Sequence, residues 1–503
     1  MTAPQKPKAT RVNTGPTRHV YDVAVVGGQL SGAIAAALLA RRGYQVLYVE
    51  HDGNGNGYLH EGWTLPYAPF VMPPLKALAS LEEVATELGV TTALQRALRL
   101  ASPMLQLVRP GVRLDVYPEA ARMASEAKRA LGLEAGPIFS AAFGSAAGAA
   151  ERSEPFLREK PELPPEGVFG KFKFNRQVER HGSLQTPSGL SDEPLEKLVK
   201  GLSPFLTYAM ADEGLAGTRP LSLALAGLYT IPGGREGLRE VFLGRLRELG
   251  GDVLLHDEST VAEAFAFEGN ALIGLKLVRS ETIYKAGCVL GATDAGALRR
   301  LLPEKKRHRE LSEMLDGAQT KQILFTLNQV LPERVLPRGM GELVLCESED
   351  AELSPMLVQV QPTKKAGEVS GEEMRNVCAA AFVPATAREL GEDHLKTLAE
   401  RLSAQLELLM PFSKSKVVLE SAPYLHASGV RGSRMLPHPR LAFEEESVLG
   451  VTGLPARAPT KHLFLASREV LPGLGFEGEV LTALRVSKLV QETLKKNDPL
   501  KRR

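Results

Sequence analysis

The feature that most constrains this chain is the run at residues 22–50, DVAVVGGQLSGAIAAALLARRGYQVLYVE. An apolar run from Val23 to Val26 enters a glycine turn at Gly27 and Gly28. An alanine- and leucine-rich stretch, 31–42, ends at Gly43, and a second apolar run, 46–49, closes at Glu50. This order predicts one βαβ unit and places the chain in the α/β class. The turn is suited to anions, because a helix N-terminus carries free backbone N–H groups and roughly half a positive charge. Glu50 lies close to the ~20-residue offset at which a carboxylate reaches ribose hydroxyls. Gly27 and Gly32 hold the first and third places of G-x-G-x-x-G. Gln29 stands at the second, where a glycine normally lets the backbone approach a pyrophosphate.

At 503 residues with ordinary apolar and charged fractions, the chain can bury a large core and should form two or more domains. A net charge of +2 gives no field that argues for nucleic acid. Cys288, Cys346 and Cys378 are far apart and odd in number, which predicts neither a disulfide framework nor a metal cluster. They read as incidental thiols of a reducing compartment, so the expected location is cytoplasmic. The first twenty residues lack the apolar core of a secretory signal and read as a flexible arm, and 496–503 as a basic tail. No run approaches the ~18 apolar residues that span a bilayer, so membrane contact would be peripheral, on the inner surface.

The segment 51–74 is dense in glycine, asparagine and proline and reads as a loop beside the nucleotide crevice. Its aromatics, Tyr58, Trp63, Tyr67 and Phe70, either line a pocket or cap the core. Residues 75–150 read as mostly helical, with paired strands at 108–117. A charged, proline-bearing insertion follows at 151–182. Its KFKFNR run, 171–176, alternates charge and aromatic and reads as a solvated strand edge, with phosphate or lipid contact as the alternative. Pro232, Gly233 and Gly234 form a turn before an amphipathic helix that ends at Gly250 and Gly251. Strands then return the chain to the sheet at 289–292, before a turn with Asp294. The basic cluster 299–309 reads as a solvated helix face. Strands at 321–327, 343–346, 356–360 and 377–383 predict a second sheet, followed by a helix at 389–409. The last block offers a buried strand, 463–466, a loop bearing Pro472, Gly473, Gly475 and Gly478, and a closing helix.

Taken in order, DVAVVGGQLSG...VLYVE, TIPGGREGLREVFLGRLRELGGDV, GCVLGATDAGALRRLL and LFLASREVLPGLGFEGEVLTA resemble the phytoene desaturase and carotenoid isomerase branch of the FAD-dependent amine oxidase superfamily. RLDVYP, at 113–118, resembles a substrate-domain strand of these enzymes. The resemblance implies an FAD-binding Rossmann-like domain of the glutathione-reductase type, assembled from 21–75, 226–300 and 440–495. A discontinuous α+β substrate domain would comprise 76–225 and 301–439. It further implies that Gly27, Gly28, Gln29, Ser31 and Gly32 face the pyrophosphate and Glu50 the ribose. Val261 would meet the adenine through its backbone, with Gly57 and Ala292 also at the cofactor, and Gly475, Glu477 and Gly478 would lie against the isoalloxazine. Three departures fall on the cofactor. Gln29 replaces the central glycine. The family's Gly-Gly-Arg becomes Gly55, Asn56, Gly57 and Tyr58, and its Gly-Asp becomes Ser467 and Arg468.

Three functions remain open. The first is a flavin oxidoreductase, of desaturase or isomerase type, acting on a long apolar isoprenoid or carotenoid, with Glu477, Glu479 and Arg468 as weak catalytic candidates. The second is a catalytically degenerate relative that keeps the fold as a binding or scaffold module, with weak or no FAD and a protein partner. The third is a flavin amine oxidase. Such enzymes frame the amine with aromatic rings, and the C-terminal loop here offers only Phe476.

Overall fold

A computed structural model describes residues 18–495, apart from 53–56, 166, 183, 185–199, 211–212, 256–260, 279, 304–307, 348–349 and 368–371. The expected arm as far as residue 17, the tail, Gly55, Asn56 and both lysines of the basic cluster therefore lie outside the described residues, and Val20, expected to end the arm, begins a strand.

The strand Val20–Val26 lies inside a seven-stranded sheet. It pairs in parallel with Val46–Val49 on one side and Ile283–Gly291 on the other. Asp252–Leu254 extends the first side, while Ala262–Glu268, Ala271–Leu277 and Leu463–Leu465 complete the other. Between the two central strands runs the helix Leu30–Arg41, buried from Leu30 to Ala40. Its alanines explain this: small side chains let the helices Gly234–Glu248 and Gly475–Leu494 pack against it as well as the sheet. The parallel strands are correspondingly apolar on both faces.

An eight-stranded mixed sheet forms the second layer system. Its longest strands, Ala318–Pro332 and Met374–Pro384, pair antiparallel, and Met356–Thr363 and Leu343–Cys346 follow. The hairpin Leu105–Arg109 and Val112–Val116 extends this sheet, with Leu343–Cys346 running parallel to its first strand. The helix Glu392–Leu409 covers one face by burying Leu395, Leu398, Leu402 and Leu406. Each such leucine contributes about 1.5–3 kcal/mol relative to exposure.

Two readings of the sequence are corrected. The segment 51–74, read as a loop, carries the hairpin Tyr58–His60 and Trp63–Leu65, whose strands pair antiparallel. KFKFNR forms no strand edge; it lies within the helix Gly167–His181. Phe174 and Gln177 are buried against the preceding helix, Ala135–Arg158, and this packing overrides the local two-residue alternation. No described helix is long and apolar enough to cross a membrane.

Candidate functional site

The turn between the first strand and first helix is built as its glycines require. Gly27 has φ +131°, and a Cβ there would stand 2.0 Å from the Ala292 carbonyl oxygen. Gly32 is equally constrained, since its Cβ would meet the Ala292 methyl at 2.2 Å. Ala292 also accepts the Gln29 N–H at 3.0 Å. The first and third glycines thus let the end of Ile283–Gly291 close onto the helix.

Gln29 occupies the N-cap position with extended backbone, but its side chain does not cap the helix. Fully buried, it reaches across the N-terminus, where its Oε1 accepts the Arg468 backbone N–H at 2.7 Å and its Nε2 donates to Asp294 Oδ1 at 3.0 Å. The Arg468 guanidinium binds the same Asp294 oxygen at 2.7 Å, and donates to the carbonyls of Pro437 and Leu436. Asp294 Oδ2 accepts from Leu436 N at 2.8 Å.

Beside this network the Asp52 carboxyl accepts the Gly28 N–H and the Thr293 hydroxyl. Burial pushes the Asp52 carboxyl up to about 7. Glu50, at the end of the second strand, is paired with Arg239 at 2.5 Å. Arg239 comes from Gly234–Glu248, also meets Glu236 at 2.9 Å, and donates to the Gly28 carbonyl at 3.2 Å. Burial raises Glu236 to about 7 despite both neighbouring arginines. Glu469 accepts the Ala295 N–H with both oxygens, at 3.0 and 2.9 Å, and burial with the Asp294 charge lifts it to about 8.

The C-terminal loop shows the same internal pairing. Glu477 holds Arg219 through two hydrogen bonds of 2.8 Å, and Arg219 also pairs with Glu154. Glu479 pairs with Arg235 and accepts the Tyr208 hydroxyl at 2.8 Å. Gly475 has φ +53°, and its Cβ would fall 1.8 Å from the Leu206 carbonyl oxygen. The backbone at Leu206 and Thr207 is therefore seated directly on the start of the closing helix. Gly478 is likewise packed, facing the Leu471 carbonyl.

Against the second sheet runs a largely apolar cleft, walled by Tyr67, Phe70, Phe205, Leu223, Leu324 and Phe476. Its volume is about 1160 Å³ including the part open to solvent, and little of that is wide enough for a water molecule. The cleft is therefore narrow. Tyr208, Arg235, Glu236 and His438 supply its polar groups. Burial holds His438 neutral, with its value lowered to about 3, and its Nε2 lies 3.0 Å from the Thr207 carbonyl.

Of the residues expected at a cofactor, Gly27, Gly28, Gln29, Gly32 and Ala292 converge on the helix N-terminus. Ser31 donates to the Ala466 carbonyl at 2.5 Å. Val261 takes no part in that hydrogen-bonded cluster as far as its backbone carbonyl goes, which accepts Val278 N at 2.8 Å. Gly57 lines the cleft, while Tyr58 is buried toward the second sheet, with its hydroxyl 3.0 Å from Ser421 Oγ and 3.1 Å from Asn328 Nδ2. Of the aromatics in the loop, Trp63 caps the second core, whereas Tyr67 and Phe70 line the cleft. Arg468 and Glu479 are both buried in ion pairs. Sequence reasoning missed Asp52, Arg239, Asp294, Arg235 and Arg219. The spacing Glu50-x-Asp52 was the one local signal, since a second acid beside an anion site is out of place.

A dinucleotide needs the Gly28 N–H and the space before the first helix for its diphosphate, and a free carboxylate for its ribose. Here Asp52 takes the N–H, Gln29 fills the entrance and Arg239 holds Glu50. The residues present do not fit that group. Among the described residues no group of three or more His, Cys, Asp or Glu is placed to hold a metal ion.

Residues 25–88 match the family described as NAD(P)-binding Rossmann-like domain. No curated protein sequence matches the chain significantly. Among solved structures, the chain is similar to an oxidoreductase from Methanosarcina mazei, with TM-score 0.53, 15% identity, and coverage of 93% of this chain and 99% of that one. It is similar to cyclohexylamine oxidase from Brevibacterium oxydans IH-35A, with TM-score 0.53, 14% identity, and coverage of 95% and 100%. A putrescine oxidase variant gives TM-score 0.52, 16% identity, and coverage of 94% and 99%. The chain thus shares the fold of these oxidoreductases, and residues 25–88 form its Rossmann-like part.

Proposed function

We propose that this chain is a catalytically degenerate relative of the FAD-dependent oxidoreductases, which keeps their fold as a binding module for a thin apolar molecule. The observation that carries this reading is the Asp52 carboxyl on the Gly28 N–H, beside a Gln29 side chain that crosses the helix N-terminus. The buried Arg219, Arg239 and Arg468 and the half-buried Arg235 stand paired with acids around the nucleotide turn and the C-terminal loop. These pairs neutralise those four arginines internally, so none of the four is left uncompensated for a diphosphate. The cleft beside it suits a long, narrow hydrocarbon such as a polyisoprenoid, because its walls are apolar and its width is small.

Calorimetric titration of the full chain with FAD and with ADP tests this. The expected result is no saturable heat with either; stoichiometric binding of both overturns it. A second reading, an FAD-dependent desaturase or isomerase of an isoprenoid, is favoured by the apolar cleft lying beside the Pro472–Leu474 turn and Phe476. It requires Gln29 and Asp52 to move aside for the cofactor. Turnover of simple amines would point instead to an amine oxidase.

A further inference from the structure

The helix Gly167–His181 is fastened to the body of the protein by one side only. Phe174 meets Phe156 edge-on with ring centroids 6.2 Å apart, and Gln177 donates to Glu159 at 3.0 Å. Arg180 and His181 reach the same carboxylate at 3.2 and 2.9 Å. At about 100° per residue, the opposite side of the helix carries Val168, Phe169 and Phe172. These three are 82%, 90% and 68% exposed, the helix's largest apolar groups turned outward. Lys171 flanks them on one side and Lys173 on the other. Arg176 follows on the same strip, as does Glu179, the one acid of the helix, about one to two turns beyond the phenylalanines. Two phenylalanines in water, bordered by lysines on both flanks, form a pattern that neither a core nor an ordinary solvated face requires.

We propose that this helix seats the protein on an anionic lipid bilayer, with Phe169, Phe172 and Val168 entering the boundary between headgroups and acyl chains. Lys171 and Lys173 extend sideways to the lipid phosphates, since a lysine stem lies along apolar surface while its ammonium stays at the headgroup level. The charge decides among occupants. A second copy of the chain would set lysines against lysines, and an uncharged apolar partner would leave them unpaired. The seat is independent of what the cleft holds.

Vesicle flotation of the full chain is the test, with phosphatidylcholine alone and with phosphatidylcholine and phosphatidylserine in equal amounts. Two variants accompany it, Phe169→Ser with Phe172→Ser, and Lys171→Glu with Lys173→Glu. All four positions are exposed, so melting temperature and circular dichroism should stay unchanged. The wild type is expected to float with the anionic vesicles and at least ~tenfold less with phosphatidylcholine, and each variant to lose at least ~tenfold in binding. Failure of the wild type to bind anionic vesicles overturns the proposal. So does binding that survives both variants, which would place the contact on another basic segment. Concentration-dependent dimerisation that the phenylalanine variant abolishes, without lipid binding, would assign the face to a second copy and also overturn it.

Discussion

The side-chain oxygen of Gln29 accepts the backbone N–H of Arg468 at 2.7 Å, joining residues 439 positions apart across the N-terminus of the first helix. The same glutamine donates to Asp294, so one side chain ties the phosphate turn, the end of the returning strand and the C-terminal loop together. On the proposed reading, a structural tie stands where a cofactor's diphosphate would lie.

Replacing this tie should cost stability. Gln29→Ala leaves the Arg468 N–H buried without its acceptor, and the expected loss is about 1–3 kcal/mol in urea unfolding. A loss within a few tenths of a kcal/mol would mean that the glutamine merely fills space.

Arg239 should matter more. It faces both the buried Glu50 and the half-buried Glu236, so Arg239→Met strands two carboxylates at once. Removing one partner of a buried pair costs about 3–5 kcal/mol, and denaturant midpoints of the variant should report a loss in that range. Wild-type stability in this variant would show that solvent, and not Arg239, compensates the two acids.

Asp52 predicts a pH dependence of definite sign. Burial holds its folded value at about 7, against about 3.9 for an unfolded aspartate. Between those values the folded chain binds a proton that the unfolded chain lacks, so this contribution is complete below about pH 4 and fades as pH rises through 7. Glu236 and Glu469, raised to about 7 and 8, act in the same direction. Asp52→Asn should therefore flatten the fall of unfolding free energy over this window, by at most about 1.4 kcal/mol per pH unit. An unchanged slope would mean that Asp52 is ionised in the folded protein throughout.

The cleft can be closed without disturbing the core. Ala68 is half-buried on its wall, and Ala68→Trp should fill the narrow passage. Binding of a polarity-sensitive apolar dye is expected to weaken at least ~tenfold, or about 1.4 kcal/mol, with the melting temperature little changed. Unaltered dye binding would locate the apolar site elsewhere.

Much of this architecture is legible in the sequence because its periodicities are local. The apolar runs at 23–26 and 46–49, the alanine helix between them and the strands of the second sheet all follow from short-range patterns and glycine punctuation. Gln29 is visible as a departure for the same reason. Its consequence is not, since Asp294 and Arg468, which hold it, lie hundreds of residues away. The pairing of Glu50 with Arg239 is hidden likewise. Read alone, Glu50 is a ribose ligand, and only the packing of Gly234–Glu248 on the first helix brings a guanidinium to it. The 167–181 segment misleads in the opposite way. Its Lys-Phe-Lys-Phe alternation mimics a strand, while Phe174 against Phe156 fixes it as a helix.

The most direct test of a sealed nucleotide site is the flavin content of the protein itself. The full chain, expressed with ample riboflavin and purified with FAD in every buffer until a final desalting, should show no flavin absorbance and release no flavin on denaturation. One flavin released per chain would contradict the account, and would mean that Gln29 and Asp52 yield their places to a cofactor.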